Sequence, residues 1–459
     1  MGSNSNNEIY FVDATVRDGN QSLWDATGIK TGMVLSIASE MDRAGFRAID
    51  FTSSINMGTL VRFHKENPWE MIRLCARAMP NTILSFGTTG RRFIGFRPMP
   101  NSIQELVIKT IKGCGIRRLW ILDVAYGRDN LFRTARIAKE AGIEEVMNIL
   151  TFSVSPVHTD EFYAQKARQT AECPDVDIVC LEDQGGLLTP DRVRTLIPAI
   201  QKNIGSLPLE AHFHCNTGLA PLCYLEAMKL GVKTFHVTVP PLSYGSSLPS
   251  ALNIMHNAIH MGYKVKVNKD VLEAMSAHFR MVAAREGRPE GQMEEYDAYY
   301  YKHQIPGGML STLKRHLAEV RMEHRLDEVI EEVVRVRQEL GYPIMATPFS
   351  QFVGTQATMN VVSGQRYSVV SDNVLQYVAG WFGELNAPVD PDVLDKITSL
   401  PRAKEFFNKE LEQPTVEEIR RQMGIGPEVS DEEFLLRYSM TDREVDEMLA
   451  AGPIKTTYP

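Results

Sequence analysis

The segment Leu209-Glu210-Ala211-His212-Phe213-His214-Cys215-Asn216 is a largely apolar run that carries two histidines near its end. In a β-strand, residues two positions apart point to the same side, so His212 and His214 share one face. Two imidazoles at a strand end are good ligands for a divalent metal ion. Two histidines held by ordinary structural hydrogen bonds are the alternative for an isolated pair of this kind.

Apolar, β-rich runs like this one recur along the chain with helical segments between them. Near-continuous hydrophobicity, as in residues 178–181, favours parallel strands that are covered on both faces. Eight such β/α units within about 250 residues predict a (β/α)₈ TIM barrel. A doubly wound open sheet is the alternative, weakened because no glycine-rich phosphate loop follows the first strand. The eight candidate strands are residues 8–15, 47–53, 81–88, 117–125, 145–152, 177–183, 208–216 and 234–240.

The order of the segments predicts three parts. Residues 1–7 are polar and are expected to be a disordered lead-in without the apolar core of a signal peptide. Residues 8–300 are expected to form the barrel. Residues 301–459 are expected to form a helical C-terminal region that covers the barrel mouth. The clearest helical runs after the strands are residues 269–285, 309–321 and 324–340.

Composition narrows the class of protein. Of the 459 residues, 44% are hydrophobic and 23% are charged, the ordinary balance of a globular protein. A net charge of −8 without a block of lysines and arginines argues against a nucleic-acid surface. No apolar run approaches the roughly 18 residues of a membrane helix. The 6 cysteines form no C-x-x-C pair and are expected to be reduced thiols, which favours a cytoplasmic protein.

Polar residues follow several of the predicted strands at their C-terminal ends. Arg17, Asp18 and Gln21 come just after the first strand, while Asp183 and His214 end the sixth and seventh. Barrel enzymes keep their active sites on this face, so these residues are expected to meet there. The carboxylate of Asp18 would then complete a mixed metal site with the histidines.

Several motifs in this order resemble the carboxyltransferase domain of biotin-dependent enzymes that act on 2-oxo acids, within a wider superfamily of metal-dependent lyases and aldolases. The relatives include pyruvate carboxylase, the α subunit of oxaloacetate decarboxylase and the transcarboxylase subunit. The resemblance spans roughly residues 8–400 and implies a barrel followed by a helical region. Its motifs are TVRDGNQS (15–22), ENPWE (66–70), AMPNT (78–82), DQGGLLTP (183–190), HFH (212–214), HQIPGGM (303–309) and ATPFSQ (346–351).

The resemblance also implies roles for individual residues. Asp18, His212 and His214 match metal ligands of the family, with Mn²⁺, Zn²⁺, Co²⁺ or Mg²⁺ as the ion. Arg17 and Gln21 match residues that contact the 2-oxo acid. Thr347 matches a threonine that shuttles a proton between biotin and the substrate carbon. Such a site would stabilise the negative charge of an enolate.

Glu182 is a departure from the family. The family has a carbamylated lysine at this position, and that lysine binds the metal. Glutamate offers the same charge and donor atom, but its side chain is shorter by roughly 3–4 Å. Glu182 is therefore predicted to be a metal ligand or a residue within one water of the ion, with a polar lining role as the alternative.

A second departure concerns the substrate pocket. The family has an arginine after the third strand that binds the substrate carboxylate, and Thr89 stands at that position here. Arg91 and Arg92 follow closely and could substitute for it, or they are solvated loop charges. Residues 50–54 read DFTSS where the family carries a Trp-Gly-Gly segment, so a remodelled pocket is expected.

Biotin is expected to act only in trans. The sequence Ala227-Met228-Lys229-Leu230 resembles a biotin attachment site, but it lies in a predicted helix without a β-rich carrier domain around it. Lys229 is therefore interpreted as an ordinary helix lysine. The implied partners are a biotin carrier, a biotin carboxylase subunit and a second copy of this chain in a homodimer.

Three functions follow from these residues. The first is a carboxyltransferase subunit that moves CO₂ between carboxybiotin and a small carbonyl or 2-oxo acid substrate. The second is a biotin-independent, metal-dependent lyase that catalyses aldol cleavage, condensation or decarboxylation, which Glu182 favours. The third, an inactive scaffold subunit, fits poorly with the number of site residues present. Thr347 and the Pro-Gly-Gly loop favour the first function.

Overall fold

We describe the protein from a computed structural model. It describes residues 7–95, 98–305, 313–315, 317–319, 321–407 and 412–459. Most of the expected lead-in and the Pro-Gly-Gly loop, residues 306–308, lie outside these ranges. The helix predicted over residues 309–321 also lies partly outside them.

Eight parallel strands form a closed barrel. Neighbouring strands in the sequence pair in order, and β1 pairs with both β8 and β2, which closes the ring. The predicted TIM barrel is therefore confirmed, and the open sheet is excluded. The strands are β1 (Glu8–Asp13), β2 (Ala48–Ser53), β3 (Leu84–Thr89), β4 (Arg118–Leu122), β5 (Glu145–Thr151), β6 (Ile178–Asp183), β7 (Leu209–Phe213) and β8 (Thr234–Val237).

Helices surround the barrel, and most begin where the sequence supplies a cap. Thr189 accepts a hydrogen bond from the backbone N–H of Arg192, and Pro190 occupies the first turn, where its missing N–H costs nothing. The helices of this part are Asn20–Trp24, Thr31–Leu35, Ala38–Arg43, Ser54–Thr59, Pro68–Ala78, Asn101–Cys114, Arg128–Glu140, Asp160–Ala171, Pro190–Gln201, Ala220–Lys229, Ala251–His260 and Lys269–Glu286.

The barrel interior is divided between an apolar and a polar half. Strands β4 to β6 contribute a small buried cluster of Trp120, Met147, Ile149, Ile178 and Cys180. The strands β1, β2, β7 and β8 instead place buried polar side chains among the interior layers, which are usually branched and apolar in such barrels. These polar residues include Asp13, Asp50, Glu210, His212 and His236.

The chain after the barrel is helical, and its first half reaches the barrel mouth. Thr347 lines a cleft there together with residues from four barrel strands and the loops that follow them. The helices of this region are Tyr300–His303, Leu326–Glu339, Phe349–Ser363, Asp372–Val378, Pro391–Ser399, Lys404–Phe407, Val416–Met423, Asp431–Ser439 and Asp442–Ala450.

The last helices pack along the flank of the barrel. The indole N–H of Trp69 donates to the carbonyl oxygen of Glu432 at 3.0 Å. The Nε atom of Arg62 donates to a carboxylate oxygen of Glu444 at 2.8 Å. The C-terminal region therefore contacts the barrel in two separate places, the mouth and the outer helices.

Two further findings concern the chain as a whole. Within the ranges given above, no helix has both the length and the apolar character needed to cross a membrane. All six cysteines are free thiols, and all are buried.

Candidate active site

Asp18, His212 and His214 converge at the mouth of the barrel. The Oδ2 atom of Asp18 lies 3.0 Å from Nε2 of His212 and 3.5 Å from Nε2 of His214. The two Nε2 atoms lie 3.2 Å apart. Around an ion with bonds of about 2.0–2.1 Å, tetrahedral ligand atoms stand roughly 3.3 Å from one another. The three predicted ligands therefore form one face of a tetrahedron of the right size for a divalent ion.

The contacts behind these ligands support that arrangement. The Nδ1 atom of His214 lies 2.6 Å from the carbonyl oxygen of Ser246, which can only accept a hydrogen bond. Nδ1 therefore carries the proton, and the lone pair of the neutral ring is on Nε2. The hydroxyl of Ser22 donates to Oδ1 of Asp18 at 2.9 Å, which leaves Oδ2 toward the histidines.

The charges of the three groups depend on one another. Burial opposes ionisation of Asp18, but Arg17 and His214 hold the pKa of its carboxyl well below the usual range. Burial would lower the pKa of His214, yet the Asp18 carboxylate raises it to about 9. Burial lowers the pKa of His212 to about 3. Without a metal ion, a proton on His214 therefore balances the charge of Asp18, and a divalent cation would displace that proton.

Arg17 is held in place by two carboxylates. Its Nε and Nη2 atoms lie 2.7 Å and 2.5 Å from Oδ2 of Asp50, and its Nη1 atom lies 3.1 Å from Oδ2 of Asp18. The guanidinium also stacks 5.0 Å above the ring of Trp120. Arg17 and Asp18 lie in a π-helical turn, Thr15–Gly19, directly after β1. Turns of this kind often occur at functional sites.

The site opens into a cleft of about 1040 Å³. Arg17, Asp18, Gln21, Glu182, His214 and Thr347 all line it, so most of the predicted site residues share one cavity. His212 lies beneath this surface and is fully buried.

Three amide side chains in this cleft have unused hydrogen-bonding capacity. The side-chain oxygens of Gln21, Gln184 and Asn216 are buried and have no partner within the protein. A buried acceptor without a partner is costly, so these groups are suited to contact a bound molecule. Gln21 was predicted from the sequence, whereas Gln184 and Asn216 were not. Their positions directly after β6 and β7 are the signal that could have identified them.

Glu182 lies in the same cleft but outside the three-residue ligand group. Among the described residues, only Asp18, His212 and His214 form such a group of close ligand atoms. Glu182 Oε2 accepts a hydrogen bond from the hydroxyl of Thr151 at 2.9 Å. Burial raises the pKa of the Glu182 carboxyl to about 7. A ligand role for Glu182 stays a prediction.

Arg91 and Arg92 line a neighbouring cavity of about 370 Å³. This cavity shares Leu122 and Thr347 with the main cleft, and neither arginine lines the main cleft itself. The guanidinium of Arg92 stacks 4.2 Å from the ring of Phe382, and burial lowers its pKa to about 10. The structure thus brings the two arginines to the far side of Thr347, and their contact with substrate stays a prediction.

Comparison with known proteins places the chain among carboxylases. The family described as "Conserved carboxylase domain" matches residues 300–451. One of the subunits of pyruvate carboxylase from Methanocaldococcus jannaschii is 31% identical over 436 residues, which cover 94% of this chain and 76% of the relative. The large subunit of 2-oxoglutarate carboxylase from Hydrogenobacter thermophilus is 29% identical, covering 94% of this chain and 66% of that relative.

The chain belongs to the carboxyltransferase family of biotin-dependent carboxylases. Solved structures agree with the fold of this family. The carboxyl transferase domain of Rhizobium etli pyruvate carboxylase, solved with pyruvate, has a TM-score of 0.86 at 20% identity, covering 97% of this chain and 77% of that domain structure. The chain spans 46% of the complete enzyme from the same organism.

Lys229 does not lie in a carrier-like environment. It is the last residue of the helix Ala220–Lys229, and its ammonium group lies 2.7 Å from Glu226 on the same helix. Its side chain is 56% exposed. These contacts are those of an ordinary surface helix lysine.

Proposed function

We propose that this chain transfers a carboxyl group between carboxybiotin and a 2-oxo acid at the cleft around Asp18. The observation that carries the proposal is the convergence of Asp18, His212 and His214 in the cavity that Thr347 also lines. The names of the relatives refer to pyruvate and 2-oxoglutarate, which supports a 2-oxo acid as the substrate class.

Asp18, His212 and His214 would hold a divalent cation. Their two neutral nitrogens and one carboxylate oxygen suit Mn²⁺, Zn²⁺ or Co²⁺ better than Mg²⁺, which prefers oxygen ligands. Such an ion, when bound, would polarise the substrate carbonyl as a Lewis acid.

The remaining roles belong to side chains of this chain. Arg17 is fixed by Asp50 and Asp18 with its guanidinium at the cleft, so it can stabilise negative charge on a substrate oxygen. Gln21 offers an unpartnered amide beside it. Thr347, on the opposite side of the cleft, has a hydroxyl that can both donate and accept a proton.

Biotin would reach the cleft on a carrier that is not part of these 459 residues. The archaeal pyruvate carboxylase relative is one of several subunits of its enzyme, which supports separate partners that carry biotin and carboxylate it. The six free cysteines support a cytoplasmic location. A homodimer stays a prediction from the resemblance.

The test uses the reverse reaction with free biotin. Oxaloacetate and biotin would give pyruvate and carboxybiotin, which then loses its carboxyl group to water. We expect pyruvate release that depends on biotin and on an added divalent metal ion, and that is abolished in Asp18→Asn. Oxalosuccinate tests the longer substrate in the same way. Metal-dependent turnover that is unchanged without biotin would instead support the biotin-independent lyase.

A further inference from the structure

Behind the metal-ligand group lies a line of buried polar side chains that the sequence did not predict. The Nδ1 atom of His212 lies 3.1 Å from Nδ1 of His236 on the neighbouring strand β8. The Nε2 atom of His236 lies 2.8 Å from Oε2 of Glu210. His212 and His236 are completely buried, and Glu210 is 2% exposed. Water therefore does not substitute for these contacts.

Arg118 anchors the far end of this line. Its Nη1 and Nη2 atoms each lie 3.1 Å from one carboxylate oxygen of Glu210. Its Nε atom donates to Glu145 at 2.7 Å. A guanidinium remains protonated in proteins and only donates hydrogen bonds. Glu210 therefore presents an ionised carboxylate, which only accepts hydrogen bonds, to His236.

These contacts determine where the protons lie when His212 is a ligand. Because Glu210 only accepts, Nε2 of His236 donates to it. In a neutral His236 ring, Nδ1 is then an acceptor and takes the proton of Nδ1 of His212. That leaves the lone pair of His212 on Nε2, which points to Asp18 and His214.

We propose that His236 and Glu210 are positioning residues that hold His212 in the tautomer and orientation needed to bind a metal ion. The inference rests on the proposed metal site. Its novelty lies in a second histidine between the ligand and the carboxylate, since a metal-bound histidine usually donates directly to a carboxylate, a carbonyl or water.

Trp120 restrains both rings of the pair. Its ring centroid lies 5.3 Å from that of His212, at an angle of 85°, and 5.1 Å from that of His236. An aromatic wall against both imidazoles blocks their rotation to other hydrogen-bond partners. The orientation of His212 is thus determined by packing as well as by hydrogen bonds.

A proton pathway through the barrel is a different role for the same residues. Such a pathway would have to continue from Glu210 through Arg118, which does not release a proton. The line therefore ends at Arg118, and its geometry favours positioning over proton transport.

The first test compares Co²⁺ affinity, measured from the visible absorption of the bound ion, in the parent and in three variants. His236→Leu removes both hydrogen bonds and should weaken Co²⁺ binding by about 10–100-fold, the range for partners behind a ligand. His236→Gln keeps one acceptor and one donor and should retain most of the affinity. Val237→Ala, at the next buried position of β8, lowers core packing without touching the line and should leave the affinity unchanged.

The outcomes separate the two proposals. A parent that binds no Co²⁺ would overturn the metal site and this inference together. A folded His236→Leu that binds Co²⁺ as tightly as the parent would overturn the inference alone. An equal loss in His236→Gln and His236→Leu would also overturn it.

The second measurement does not depend on a variant that folds. Histidine ¹⁵N shifts in the Zn²⁺-loaded parent report which ring nitrogen carries the proton. We expect His236 to be neutral with its proton on Nε2, and His212 to carry its proton on Nδ1. A proton on Nδ1 of His236 would contradict the proposed line of donors and acceptors.

Discussion

Asp18 Oδ2 lies 3.0 Å from Nε2 of His212, although one residue follows the first strand and the other is part of the seventh. Closure of the barrel brings them together, because only β8 lies between β1 and β7 in the ring. The same closure places Arg17 beside Asp18 and Asp50. The metal site and the substrate-binding arginine are thus consequences of one topological event.

Asp18→Asn should abolish tight metal binding. The substitution keeps the size of the side chain but removes the charge that balances the ion, so the affinity should fall by more than about 100-fold, beyond the range for residues behind a ligand. Elemental analysis after dialysis measures this. Asp25→Asn, at the exposed rim of the same cleft, makes the same charge change and should leave the metal content intact.

Thr347→Ala should lower kcat by about 10²–10⁴, the range for a positioned proton-transfer group. Metal content should not change, because Thr347 is outside the ligand group. Thr347→Ser keeps the hydroxyl and should recover much of the rate. Near-normal turnover of the alanine variant would instead favour the biotin-independent lyase.

Glu182→Gln should weaken metal affinity by about 10–100-fold if Glu182 acts on the ion directly or through one water. Glutamine still accepts from Thr151, so the change isolates the charge. Glu182→Lys restores the family residue and should bind metal only when bicarbonate allows carbamylation. Metal analysis with and without bicarbonate tests both. A glutamine variant that binds as tightly as the parent would leave a site with three protein ligands.

His158 should make stability depend on acidity away from the active site. Burial lowers its pKa from 6.5 to about 3, and Arg337 lowers it further. The unfolded chain therefore binds a proton more readily, so stability present above pH 6.5 is lost as pH falls toward 3. Each pH unit in this window should cost about 1.4 kcal/mol at most.

Urea unfolding between pH 4.5 and 7 measures this dependence. His158→Asn can still accept from Ser155 and should give a shallower slope than the parent. His256→Asn removes an exposed histidine and serves as the matched control. Equal slopes in the parent and in His158→Asn would show that His158 does not carry the effect.

Lys229 should carry no biotin. An avidin blot of the purified chain should be negative for the parent and for Lys229→Ala, because Lys229 is an exposed helix residue paired with Glu226. A biotinylated protein of a different size that copurifies would identify the carrier. A signal in the parent that disappears in Lys229→Ala would contradict the interpretation.

The sequence by itself determined the barrel and the metal-ligand group. The alternation of apolar strands with capped helices predicted all eight strands, with differences only at their ends. The period of two in β7 put His212 and His214 on one face, and the barrel topology put Asp18 at the same mouth. These inferences required only local periodicity and the known direction of parallel strands.

Only the tertiary structure decided which side chains contact one another. The pairing of Arg17 with Asp50, the contact of His212 with His236, and the anchoring of Glu210 by Arg118 all cross the barrel interior. Such contacts depend on strand register and on side-chain orientation, which sequence spacing does not specify. For the same reason, the short reach of Glu182 and the separate cavity of Arg91 and Arg92 became visible only in three dimensions.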